Sequence, residues 1–422
     1  MSFNPFNEKP EKLDSLYMDW QRMYPNAYDK NEVSPYTKVR CILMNGTEYE
    51  ANWFSHQFSR HCNNNDVRRA LSDVRRGEQQ QQKRISNLKP INETVLETTI
   101  GYEQLAVDLT AILAQRERNP YVKHALDFAL LEDFDHLYRY ADLLDMEQGI
   151  HAERLVGNYT EIMPGRPTIS EHRHPSDDIR RYTDFKTADP LTKLNVSIIT
   201  AAEQQTMNYY MNQTGFYTSD LGRQLYAEIG MIEEQHVSQY ESLIDVNETW
   251  FECWLNHEYT ECYLYYSCYK NETDSYVKKV WEQHLMAEIA HLHIAAEWLK
   301  KIENKEWQQV IPCGDFPELL AFSSQKDYIR GILKNTVRQT ATMEDYVEID
   351  KLSDKSRFFA YQNKVNSDVE CVASHKVIDK YIKDNGKDYR YEDKPNPCVE
   401  LQDRTKDNVC LGRCRTGEKV CC

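Results

Sequence analysis

Glycine and proline are scarce, at 14 each in 422 residues. That scarcity excludes an all-strand fold punctuated by turns and favours long uninterrupted helices. Long apolar runs are missing too. No stretch reaches the roughly 18 apolar residues of a membrane-spanning helix, and Met1–Pro10 lacks the hydrophobic stretch of a secretory signal. The expectation is a cytoplasmic or intracellular protein with no membrane partner. Basic charge is in deficit: 51 Lys and Arg against 67 Asp and Glu leave a net charge of −16. Phosphate backbones are bound by basic patches, so no nucleic-acid partner is expected. The 12 cysteines include no Cys-x-x-Cys pair, which gives little support to a zinc ribbon. Cys398, Cys410, Cys414, Cys421 and Cys422 crowd the end of the chain and read as a structural or crosslinked tail.

What is present is helical periodicity. Residues 1–90 read as an N-terminal arm, in which a short apolar run, Val39 to Met44, ends at an Asn45-Gly46 turn. Asn92 is placed to cap a first long helix, and Asn119-Pro120 to open a second. The pattern predicts three helical hairpins, 92–156, 191–246 and 249–302, within a helical domain over 91–303. Further helices are expected at 316–345 and 364–384, in a Cys-rich extension over 304–422. The connection 157–190 is long for a compact domain.

The three hairpins share one arrangement. Glu103 is followed thirty residues on by Asp133, then His136; Glu203 by Glu233, then His236; Glu258 by Glu288, then His291. Residues three apart share a helix face, so each acid–His pair can reach one point in a bundle interior. The turns fall near the midpoint of each interval. Each lone carboxylate therefore stands level with its acid–His pair, roughly 22 Å from the turn at about 1.5 Å per residue. One Glu from each of two helices with a Glu-x-x-His from each of two others is the ligand set of a carboxylate-bridged di-metal bundle. A lone carboxylate among Ile198, Ile199, Ala201 and Ala202 would cost several kcal/mol to desolvate; two divalent ions offset the charge of Glu103, Asp133, Glu203 and Glu233.

The long connection can climb the bundle and reverse the next hairpin. That places the primary site at Glu103, Asp133, His136, Glu203, Glu233 and His236, with a site between the second and third hairpins as the alternative. Glu258, Glu288 and His291 then form half of a possible second site. Either two copies complete it across a homodimer axis, or it is a decayed repeat packing through its aromatics. Tyr102, Tyr209 and Tyr210 lie near ligands in sequence and either relay electrons or fill the core.

These motifs resemble the ferritin-like superfamily, of the rubrerythrin and manganese-catalase type, over about 92–246 and as far as 302. The departures are Asp133 where the pattern carries Glu, with Glu132 beside it, and the absence of a rubredoxin-like Cys centre. The resemblance implies an all-α, ferritin-like four-helix bundle with an additional hairpin and irregular ends. It implies two Fe or two Mn ions per site and an oxidoreductase acting on H2O2 or O2, with catalase or peroxidase chemistry foremost. A ferroxidase or di-iron oxygenase is the next reading, and a coat-like homo-oligomer with a crosslinking tail the non-enzymatic one.

Overall fold

The computed structural model describes residues 3–157, 159–166, 168–368 and 371–390. The cysteines from Cys398 onward, and the tail role read into them, lie outside the described residues. The described chain is mostly helical. Eight long helices dominate: α1 (Pro35–His61), α2 (Asn65–Ser86), α3 (Val95–Arg116), α4 (Pro120–Gln148), α5 (Pro190–Phe216), α6 (Asp220–Glu241), α7 (Trp250–Asn271) and α8 (Ser275–Glu303).

Polar caps set their boundaries. Ser34, Asn64, Asn119, Ser219 and Asp274 each accept backbone N–H groups of the helix they open, so each two-helix turn needs only a short connector. Thr94 and Thr249 form reciprocal capping boxes with Glu97 and Glu252. α3 therefore starts after Thr94 rather than at Asn92, because a box satisfies two orphan donors at once.

The Asn45-Gly46 pair is not a turn; it sits in the middle of α1. The side chain of Gln205 packs where a Cβ of Gly46 would stand, with its Nε2 only 2.5 Å from that point. Gln205 donates to the Ile42 carbonyl at 2.9 Å and accepts from Asn45 Nδ2 at 2.7 Å. The glycine serves close approach rather than chain reversal. Residues 316–345 also differ from expectation. A helix covers only Lys326–Thr336, and an antiparallel pair follows, β1 (Gln339–Thr342) and β2 (Asp345–Glu348), with Ala341 opposite Tyr346. The β-branched Thr340, Thr342 and Val347 favour this pair.

The chain divides into two compact units. The first takes the chain through Glu93, then Thr183–Gln205 and Ile244–Phe322; the second takes Thr94–Tyr182, Thr206–Leu243 and the described chain from Ser323. In the first unit α1 packs on α2, α2 on α8, α8 on α7 and α7 on α1, a closed four-helix ring around buried Leu43, Leu71, Trp254 and Trp281. In the second, α3 packs on α4 and α4 on α6, and the helix Ala373–Asn385 lies against α4 and α6. The helix α5 contributes residues to each unit.

The eight helices reveal a duplication. Each residue of α1–α4 has a counterpart 155 positions later in α5–α8 with no gap. Pro35, Thr37 and Lys38 match Pro190, Thr192 and Lys193; Asn92-Glu93-Thr94 matches Asn247-Glu248-Thr249; Tyr121-Val122-Lys123 matches Tyr276-Val277-Lys278. Even the left-handed residues ending α4 and α8 correspond, Gly149 at φ 64° and Asn304 at φ 54°. The units do not follow the repeats. The first joins the α1/α2 hairpin to the α7/α8 hairpin, and the second holds α3/α4 with α6.

Candidate metal centres

In the second unit α3 carries Glu103, α4 carries Asp133 and His136, and α6 carries Glu233 and His236; all five are fully buried. Each acid–His pair spans one helical turn, so both side chains leave the same face. Glu103, His136 and Glu233 offer ligand atoms within 4.8 Å of one another, and so do Asp133, Glu233 and His236. Glu233 belongs to both groups. His136 Nδ1 lies 2.9 Å from Glu233 and 3.9 Å from Glu103. His236 Nδ1 lies 3.2 Å from Asp133 and 3.6 Å from Glu233. Glu203 is buried as well, on the stretch of α5 that belongs to the first unit.

Glu132 does not face this centre as a competitor of Asp133. Its carboxylate takes His236 Nε2 at 2.6 Å and pairs with Arg166 at 3.3 Å and Arg173 at 3.0 Å. A carboxylate on Nε2 orients the ring so that Nδ1 faces Asp133 and Glu233, the kind of support that metal-binding histidines use. Burial opposes the charge on Glu132, but Arg173 and the His236 bond outweigh it and hold the carboxyl well below the usual range. Burial likewise opposes Glu233, and His136 and His236 bring it down to about 2. Burial pushes Asp133 up. Tyr210 donates its hydroxyl to Glu103, while Tyr102 and Tyr209 stack with ring centroids 4.3 Å apart.

The first unit contains a second centre. Glu258, Glu288 and His291 are joined there by Glu78 of α2, with ligand atoms within 4.8 Å; Glu48, Glu78 and Glu261 form an adjoining group. Here Glu78 is the shared carboxylate. His291 Nδ1 lies 2.9 Å from Glu78 and 3.2 Å from Glu288. Glu258, Glu288 and His291, expected as half of a site on the third hairpin, are thus joined within the chain by side chains of α2 and α1, helices expected to be part of an N-terminal arm. Glu48 and Glu78 obey the same thirty-residue interval, but Gln81 follows three residues on where a histidine stands in the other hairpins. A search keyed on acid-x-x-His passes over it; the 155-residue repeat finds it, because Glu48, Glu78 and Gln81 are the counterparts of Glu203, Glu233 and His236. Gln81 donates to Glu48 at 2.9 Å and Glu288 at 2.5 Å. Burial, then neighbouring carboxylates, raises Glu48, Glu258 and Glu261 well above the usual carboxylate range.

Several buried acceptors in these centres receive no hydrogen bond: both oxygens of Glu261, and one each of Asp133, Glu78, Glu233, Glu48 and Glu258. Buried polar atoms in such number need a partner, and oxygen–nitrogen sets of this kind suit divalent iron or manganese. Comparison with family models, curated proteins and solved structures finds no match.

Proposed function

We propose that each unit is a ferritin-like bundle holding a pair of Fe or Mn ions, and that the protein is an oxidoreductase acting on hydrogen peroxide or dioxygen, with peroxide disproportionation or peroxidase activity the leading reaction. The observation that supports this most is the shared carboxylate. Glu233 in one unit and Glu78 in the other each stand in two ligand groups, as a bridge between adjacent ions requires. The proposed ligands of the second unit's pair are Glu103, Asp133, His136, Glu233 and His236. Those of the first are Glu48, Glu78, Glu258, Glu261, Glu288 and His291.

Bound as a pair, such ions would supply a two-electron change for peroxide or dioxygen. The residues do the rest. Carboxylates favour the higher oxidation state. Glu132 holds the His236 ring in place through Nε2. Burial of every ligand excludes bulk water and strengthens each electrostatic contact. The homo-oligomer expected from sequence is no longer needed to complete a centre.

Element-specific metal analysis of protein purified without added metal tests this reading. Two tightly held ions per unit are expected, and Glu233→Gln and Glu78→Gln should each remove one unit's pair. Less than one transition-metal ion per chain sinks the proposal. Oxygen release from peroxide by iron- and manganese-loaded protein then separates catalase from oxygenase chemistry.

A further inference from the structure

The two centres differ beside the ligands. In the first unit a cavity of about 340 Å³ lies under the segment Leu13–Met18 and reaches the centre at Gly77, Gln81 and His291. Its volume falls in the range of small-molecule pockets, about 300–1,000 Å³. That far exceeds the roughly 10–15 Å³ that one water-sized guest requires. Three of its wall side chains are at least 98 % buried and each aims an unpartnered polar atom: Gln81 Oε1, His284 Nε2 and His291 Nε2. The roof is stapled to α2 by Gln80, which accepts from Met18 N at 2.7 Å and donates to Met18 O at 2.9 Å.

The repeat shows what makes the room. Gly77 stands where the second unit has Ile232, Ala287 where it has Glu132, and His284 where it has Ala129. A Cβ at Gly77 would come within 2.8 Å of His291 Nε2. In the second unit the Glu132 carboxylate occupies its place with two arginines and an imidazole as partners. In the first unit that carboxylate is missing, and a cation is left over. Arg84, the counterpart of Gln239, lines the cavity. Its Nη1 lies 3.9 Å from the Met18 sulfur, its Nε has no acceptor, and the one oxygen that partners its guanidinium is the neutral Tyr276 hydroxyl. Among the described residues no carboxylate forms an ion pair with it.

We propose that this cavity binds a small organic carboxylate, whose carboxylate group takes in the first unit the role that Glu132 takes in the second, held by Arg84 and reaching the Gln81–His291 wall. As a substrate class for the first centre this rests on the metal reading above; as a binding site it does not. The ligand carries a short chain, because Leu13, Leu16, Met18 and Met286 give the cavity an apolar side.

Butyrate, butanol and butylammonium share a size and differ in charge. Titrated calorimetrically into the full chain, with metal content measured on the same samples, butyrate is expected to bind and the other two are not. Arg84→Gln, which reproduces the second unit's Gln239, should weaken butyrate by about tenfold or more. Ala287→Glu, which reproduces Glu132, should abolish binding by filling the site; Arg84→Gln alone decides if that variant fails to fold. No butyrate binding, equal binding of butanol, or an unaffected Arg84→Gln variant overturns the proposal. Ions present without butyrate binding removes the pocket alone. Butyrate bound by protein free of ions removes the metal reading and leaves the pocket.

Discussion

The two units start from one repeated sequence and reach different interiors. In the second, α4 and α6 each keep an acid and a histidine, and Arg166, Glu171 and Arg173 pack a charged network against Glu132. In the first, one histidine is replaced by Gln81, an extra carboxylate enters at Glu261 where the second has Ala106, and Ala287 and Gly77 leave space. A buried layer of acids with histidine survives in both units, with one histidine and one carboxylate exchanged, while its surroundings diverge further. The difference teaches that a centre built on helix spacing is robust, because it needs only residues one turn apart. What lies next to the centre depends on single side chains and can diverge freely.

The largest test of this contrast is Glu132→Ala, which makes the second unit resemble the first. It strips Arg166 and Arg173 of their shared carboxylate inside the protein, and breaking a buried pair costs about 3–5 kcal/mol. Chemical denaturation should show that loss; a variant as stable as wild type would mean that Glu171 and Asp178 suffice for the arginines. Gly77→Ala probes the first unit. Helix propensity alone would favour alanine by about 1 kcal/mol, but the clash with His291 is expected to reverse the sign and destabilise by about 1–3 kcal/mol. A more stable variant would show that the imidazole has room to move.

Gln81→His restores the imidazole that the second unit carries at His236. Ion retention by the first unit against a competing chelator should tighten by about tenfold, near 1.4 kcal/mol; unchanged retention would mean that Gln81 does not stand at a coordination position. The smallest effect concerns Glu248, the repeat counterpart of Glu93, both in the first unit. Burial, then Asp245 and Glu252, raises it to about 7 from an ordinary 4.5, with Lys193 opposing. A raised carboxyl stabilises the fold fully below its ordinary value, and that contribution is lost as pH rises through 7. Glu248→Gln should therefore be more stable than wild type at pH 8 by about 1 kcal/mol, with the gap closing toward pH 4. A gap that widens on acidification contradicts that assignment.

Much of the second centre was legible because local rules produce it. Asn119-Pro120 opens α4, and the interval from Glu103 to Asp133 sets two carboxylates at one height across a tight turn. The first centre escaped because Gln81 breaks the acid–His signature and because Asn45-Gly46 imitates a turn. Only the packing of Gln205 against Gly46 shows why a glycine belongs in mid-helix. The part played by Arg166 and Arg173 was not legible either, since they reach Glu132 from an irregular connection with no periodicity to read.

The sequence by itself determined where helices begin, which face each ligand takes and how far it stands from its turn, since caps, connectors and 3.6-residue periodicity act over a few residues. Only the tertiary structure decided which hairpins close on each other. All four carry their acids at matching heights, so spacing permits several pairings. The choice falls to the fit of whole helix faces, α2 on α8 and α4 on α6, which depends on side chains far apart in the chain.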